Sequence, residues 1–199
     1  MKQVLFATGN VAKVKRFKDK LLAKGIELLS LKDLDLTLDV EENGASAIEN
    51  ALIKARACKK KTNMPVMAMD DSLYLEGIPE NLQPGLFVRR VNGKSLTDKE
   101  MIDYYSNLVK EYGVNGKLIA RYVYGMAIIS TRGEVTYTWS KNDFLLVDTP
   151  SKVINPGYPL NSISKNIKLD KYFSEMTKED HDLVQEQEDD VIDFIANNV

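Results

Sequence analysis

The chain has 199 residues, is 44% hydrophobic and 28% charged, and carries a net charge of −2, an ordinary globular composition that lacks the basic excess of a general nucleic-acid binder. One cysteine, Cys58, excludes an intrachain disulfide and a zinc site built from cysteines. No apolar run reaches membrane-spanning length, and the apolar part of "MKQVLFATGN" is too short for a signal peptide, so the expectation is a soluble, cytoplasmic protein that binds neither a nucleic acid polymer nor a membrane.

Val4 to Ala7 reads as a buried strand. After Thr8-Gly9-Asn10, the apolar positions Val11, Val14, Phe17 and Leu21 follow helical spacing, and Gly25 ends that helix. Ile26 to Leu29 reads as a second strand, and "LTLDVEENGAS" as a loop. Ser46 and Glu49 form a capping-box pattern ahead of a helix with Ile48, Leu52 and Ala55 on its apolar stripe. Pro65 to Met69 is a third short strand, ending in Asp70-Asp71-Ser72. This alternation of strand and helix predicts an α/β fold.

Further on, Thr97 and Glu100 again fit a capping box and open a helix to about Tyr112. "KLIARYVYGMAIIS", then Arg132-Gly133, then "EVTYTWS" predicts a hairpin-like pair of strands. From Thr177, Leu183, Val184, Val191, Ile192 and Ile195 among acids predict one closing helix. With no repeat and no low-complexity linker, the chain reads as a single domain over residues 1–199.

Three stretches could carry chemistry. At Thr8-Gly9-Asn10 a glycine lets a ligand approach the backbone, the helix start offers N–H groups and positive dipole character, and Lys13 adds a charge one turn on. That suits phosphate; the alternative is that Asn10 only caps the helix and the lysines form a solvated face. Glu41 and Glu42 precede the helix that carries Lys54, and carboxylates beside a phosphate site suit magnesium, unless they merely favour the helix dipole. Asp70 and Asp71 stand where α/β sheets bind ligands, one able to ligate a metal and the other to take a proton from water; a plain turn is the alternative.

Together these residues resemble the inosine triphosphate pyrophosphatase family of house-cleaning nucleotide hydrolases. The resemblance is carried by "ATGNVAK" at 7–13, "EENGASAIENALIKAR" in its core, "DDS" at 70–72 and "PGLFVRR" at 84–90, in matching order and spacing. It implies an α/β fold with an elongated mixed sheet, flanking helices and two lobes around a central cleft. It implies magnesium-dependent cleavage of a nucleoside triphosphate to monophosphate and pyrophosphate, and a homodimer. By motif, Thr8, Gly9, Asn10 and Lys13 would hold phosphates, with Ser72 and Arg90 also on the substrate. Lys54 would contact phosphate as part of the catalytic set, Glu42, Asp70 and Asp71 would serve magnesium, and Asp71 would be the base.

The second half departs from the family pattern. Leu73 follows Asp-Asp-Ser where the family has glycine. "NPGYPLN" at 155–161 stands in place of an aromatic base-stacking segment, leaving Tyr158 as the stacking candidate. "QEQ" at 185–187 replaces a Ser-His-Arg motif that reads the base, and His181, the only histidine, does not fall on the family's histidine and reads as a surface residue of the last helix. Trp139, Tyr122, Tyr124 and Tyr137 read as lobe core or interface rather than as base-stacking groups. The expectation is a pyrophosphohydrolase with altered base specificity; the alternative is a nucleotide-binding module that has lost turnover.

Overall fold

The computed structural model describes residues 1–184 and 188–199. The chain opens with β1 (Lys2–Phe6), α1 (Val11–Ala23), β2 (Ile26–Ser30), α2 (Ala47–Lys59) and β3 (Val66–Leu75). A short hairpin of β4 (Arg90–Val91) and β5 (Lys94–Ser95) precedes α3 (Asp98–Tyr112). Then follow β6 (Lys117–Ser130), β7 (Gly133–Ser140), β8 (Phe144–Val147), β9 (Ser164–Asn166), β10 (Lys171–Tyr172), α4 (Lys178–Leu183) and α5 (Asp189–Asn198).

The helix starts are set by local chemistry. Asn10 caps α1, its side-chain oxygen accepting from the N–H groups of Ala12 and Lys13. Thr97 and Glu100 form a complete capping box on α3, and Thr177 and Asp180 do the same on α4. On α2 only half of the expected box forms: Ser46 accepts from Glu49 N–H, but Glu49 turns to the N–H of Ala45 at 2.8 Å. The single closing helix predicted from Thr177 is two helices, α4 and α5. Half-buried His181 therefore lies on α4, not on the surface of the last helix.

Eight strands form a mixed sheet in the order β10-β9-β8-β6-β3-β1-β2, with β7 paired to β6, and helices flank it. The chain divides into two compact units. The first holds Met1–Asp71, Val123–Trp139 and the described residues 188–199; the second holds Ser72–Tyr122 and the described residues 140–184.

In the first unit β1 pairs in parallel with both β2 and β3. Successive strand residues point to opposite faces, and the pattern here is clear. Leu5, Val66 and Ala68 pack with Ala51, Ala55 and Cys58 of α2. Phe6 instead meets Phe17 of α1 edge-on, at 6.0 Å between ring centroids. Phe17 is fully buried, worth roughly 1.5–3 kcal/mol in apolar transfer. Tyr124 stacks on Trp139 at 5.0 Å, and Tyr137 stacks on Phe194 of α5 at 4.9 Å, which agrees with the reading of these aromatics as core.

In the second unit α3 lays Met101, Ile102, Tyr105, Leu108 and Val109 against Leu118, Phe144 and Ile163. Tyr122 stacks on Phe144 at 5.4 Å. Leu73 and Leu75 belong to this core, which explains one departure from the sequence reading. The aspartates do not end their strand: β3 runs through Asp70-Asp71-Ser72 to Leu75, and Leu73 exchanges backbone hydrogen bonds with Gly85. Buried leucines at alternate positions, not turn chemistry, decide the local conformation.

Candidate active site

Because Asp70 and Asp71 are consecutive on β3, their side chains leave opposite faces of the strand, and each meets a lysine from a different helix. On one face, Lys54 of α2 lies 3.0 Å from Asp70 Oδ1 and 3.1 Å from Glu42 Oε2. On the other, Lys13 of α1 donates a short hydrogen bond to Asp71. All five groups belong to the first unit. The Lys13, Lys54 and Asp70 side chains are largely buried, with Glu42 and Asp71 more open to solvent.

Burial pushes the Asp71 carboxyl up, but the charge and hydrogen bond of Lys13, with Lys54 and Arg16 behind it, outweigh that and hold it below its ordinary value. Asp71 is therefore ionised at neutral pH. Arg16, one turn beyond Lys13, pairs with Glu188 at 2.7 Å and lies over the Tyr124 ring at 4.7 Å.

At the α1 start, Asn10 Oδ1 takes the N–H groups of Ala12 and Lys13, and Thr8 Oγ1 accepts from Asn10 N–H at 3.1 Å. The helix end thus has fewer open N–H groups than a bare terminus offers. The turn brings together the Asn10 amide, the Thr8 hydroxyl, exposed Gly9 and, one turn on, the Lys13 ammonium paired with Asp71. Gly9 is exposed, has no left-handed φ, and has open space where a Cβ would go, so the fold itself does not require glycine there.

Ser72 is buried within β3. Arg90 and Tyr158 belong to the second unit. Arg90 is exposed, its guanidinium 5.8 Å from the Phe87 ring centre, whereas neighbouring Arg89 is tied to Asp98 and the Leu96 carbonyl. Tyr158 is half-buried and precedes a 3-10 turn, Pro159–Ser162. The "QEQ" segment at 185–187 lies outside the described residues.

Among the described residues no group of three or more His, Cys, Asp or Glu side chains gathers as a metal cage. Magnesium does not need one: one or two carboxylates plus substrate phosphates are its usual set. Glu42 and Asp70, two oxygen donors sharing a single cationic partner, fit that chemistry.

The sequence reading missed two residues. Asn50 donates to Asp70 Oδ2 at 2.9 Å. Its signal was its spacing: Asn50 and Lys54 are four apart and share a helix face, whereas Glu49 and Lys54 do not. Arg16, three residues after Lys13, was likewise on the face of α1 that reaches Asp71.

An α/β chain with lysines facing carboxylates on both faces of one strand has the makings of a phosphate-handling protein. Residues 4–187 match the model of the Ham1 family, and the chain belongs to that family. It is 29% identical over 190 residues, 95% of this chain and 93% of the relative, to a protein of Bacillus subtilis named dITP/XTP pyrophosphatase. A Thermoanaerobacter pseudethanolicus protein of the same name is 28% identical over 94% of this chain and 91% of its own length. Against a Vibrio parahaemolyticus protein of that name the match is partial, 35% identity extending over 52% of this chain and 50% of the relative. The fold matches a solved HAM1 protein of Coxiella burnetii with a TM-score of 0.77 at 21% identity, covering 99% of this chain and 98% of the other.

Proposed function

We propose that the chain is a magnesium-dependent nucleoside triphosphate pyrophosphohydrolase that releases a nucleoside monophosphate and pyrophosphate. The observation that carries this is the pairing of Lys13 with Asp71 and of Lys54 with Glu42 and Asp70. It is supported by family membership and by relatives named dITP/XTP pyrophosphatase over nearly the whole chain.

The two lysines offset part of the charge of the three carboxylates. On this reading, an incoming triphosphate takes the two ammonium groups, with Thr8, Gly9 and Asn10 as further contacts. Glu42 and Asp70 would hold magnesium, which supplies charge neutralisation on the phosphate oxygens. Losing Lys13 to the phosphate frees Asp71 to accept a proton from water. That water attacks the α-phosphorus, and the bond to the α–β bridging oxygen breaks with pyrophosphate as the leaving group. Lysine charge stabilises the negative charge that develops on the departing oxygens. The strand geometry favours dividing the aspartates, with Asp70 for the metal and Asp71 for the proton.

We extend the proposal to base choice. With "QEQ" at 185–187 in place of the family's base-reading motif, discrimination between inosine and standard bases is weak or lies outside purines, and Tyr158 is the stacking candidate. The reading also includes a homodimer working in the cytoplasm; no helix among the described residues is long and apolar enough to cross a membrane.

The test is a panel of inosine, xanthosine, adenosine, guanosine, cytidine and uridine triphosphates with magnesium, followed by pyrophosphate release. Release from at least one nucleotide, abolished by chelation, is expected. Binding without release would instead favour a nucleotide-binding module. A preference for inosine of about a hundredfold, roughly 3 kcal/mol in the transition state, would overturn the altered specificity.

A further inference from the structure

We infer that Asn50 is a positioning residue that fixes the spacing of the two carboxylates, Glu42 and Asp70, and so sets the affinity of the site for a divalent cation. The inference rests on the proposed function, since it takes these carboxylates as magnesium ligands.

Asn50 is 3% exposed, a polar side chain committed to the interior of the first unit. Its amide makes two bonds of opposite sense. Oδ1 accepts from the N–H of Gly44 at 2.8 Å, and Nδ2 donates to Asp70 Oδ2 at 2.9 Å. A backbone N–H can only donate and an ionised carboxylate can only accept, so the partners themselves fix which end of the amide is which.

Asp70 is consequently gripped at both oxygens, Oδ1 by Lys54 and Oδ2 by Asn50. The two grips differ in kind. Lys54 supplies charge and is the group that a cation would displace from Asp70 and a phosphate would draw away from it. Asn50 is neutral, so it holds the carboxylate without competing with a cation for its charge. Its oxygen is spent on Gly44, which leaves Asn50 as a support rather than a ligand.

The Gly44 bond reaches the other carboxylate. Gly44 is two residues from Glu42 in the loop before α2, and it sits so close to Asn50 that a Cβ there would meet Asn50 Oδ1 at 2.8 Å and Asn50 N at 2.9 Å. Glycine at this position is the condition for the close approach. One buried amide thus anchors Asp70 directly and the loop bearing Glu42 through its backbone. Outer partners of this type, when removed, cost about 10- to 100-fold in metal affinity.

The experiment is a double-mutant cycle read by Mn2+ alone, followed by the electron paramagnetic resonance signal of the free ion, on the full chain. Asn50→Leu, with the same branched skeleton and number of side-chain heavy atoms, should weaken Mn2+ binding about 10- to 100-fold. In an Asp70→Asn background the same change should cost clearly less than in the parent, because the bond to Asp70 is already altered and only the anchor on the loop bearing Glu42 is left to lose. The magnesium needed for half-maximal turnover should rise, with the nucleotide KM at saturating magnesium unchanged. Unaltered Mn2+ affinity in folded Asn50→Leu, or losses that multiply in the double variant, would overturn the inference. Asn50→Ser, too short to reach either partner, gives the same reading if the leucine variant does not fold. If the parent chain binds no Mn2+ and releases no pyrophosphate, the proposed function falls and this inference with it. If the parent does both and Asn50→Leu binds Mn2+ unchanged, the inference alone falls.

Discussion

Lys13 and Asp71 are 58 residues apart in sequence and hydrogen-bonded in the fold, α1 delivering the ammonium to a carboxylate of β3. The pair has two separable jobs, and substitution distinguishes them. Asp71→Asn keeps the shape and removes the base, so turnover should fall by about 100-fold or more with the far-ultraviolet circular dichroism unchanged. Lys13→Ala should weaken triphosphate binding more than nucleoside binding, because its charge meets phosphate. Near-normal pyrophosphate release by folded Asp71→Asn excludes it as the base, and equal binding losses for both ligands place the phosphate elsewhere.

Gly9 gives a sharper contrast between fold and function. A methyl group there meets no atom within 4 Å and the backbone has no left-handed φ, so Gly9→Ala should leave the melting temperature within about 1 °C of the parent. If the glycine is there so that phosphate can approach the backbone, the same methyl should raise the nucleotide KM severalfold. An unchanged KM would mean that no ligand passes this turn.

The first third of the fold was legible because its signals are local. Asn10 before Val11, Gly25 after the helix and the apolar spacing of Val14, Phe17 and Leu21 each describe one element, and each element formed. The Asp70-Asp71-Ser72 stretch misled because its conformation is decided at a distance: Leu73 and Leu75 are held in a core with residues of α3 and β6, so the strand continues. The pairing of Lys54 with Asp70 across 16 residues could be reached only through the family motif. Asn50 escaped because an asparagine inside a helix reads as a weak helix former; its two partners, Gly44 in the preceding loop and Asp70 on β3, meet it only in the fold.

Stability should respond to acid through Glu100. Its hydrogen bond to Lys94, then those to the backbone and hydroxyl of Thr97, lower its pKa from the ordinary 4.5 to about 2. A carboxylate held below its unfolded value contributes stability that is present in full above about pH 4.5 and is lost as pH falls toward 2. Glu100→Gln retains an acceptor for the capping box but not the charge. The melting temperatures of parent and variant should therefore differ by a constant amount between pH 6 and 8 and converge as the pH falls below the ordinary carboxylate range. A gap that persists unchanged into strong acid would show that the charge on Glu100 contributes nothing.

Lys54 offers a test of the cation site that needs no turnover. Its ammonium is the shared partner of Glu42 and Asp70, and its side chain is 12% exposed. Removing the lysine leaves Asp70 with only the neutral Asn50 donor and Glu42 partly open to solvent, so Lys54→Ala should destabilise the metal-free protein by about 1–3 kcal/mol. A divalent cation bound by the same two carboxylates replaces the missing charge. Magnesium should then raise the melting temperature of Lys54→Ala more than that of the parent, where the lysine competes for the same oxygens, by the linkage between ligand concentration and stability. The comparison is internally controlled, since sodium at matched ionic strength screens surface charge without filling the site. Equal magnesium shifts in parent and variant would mean that Glu42 and Asp70 are partners of Lys54 only, and the metal ligands would have to be sought among other oxygen groups.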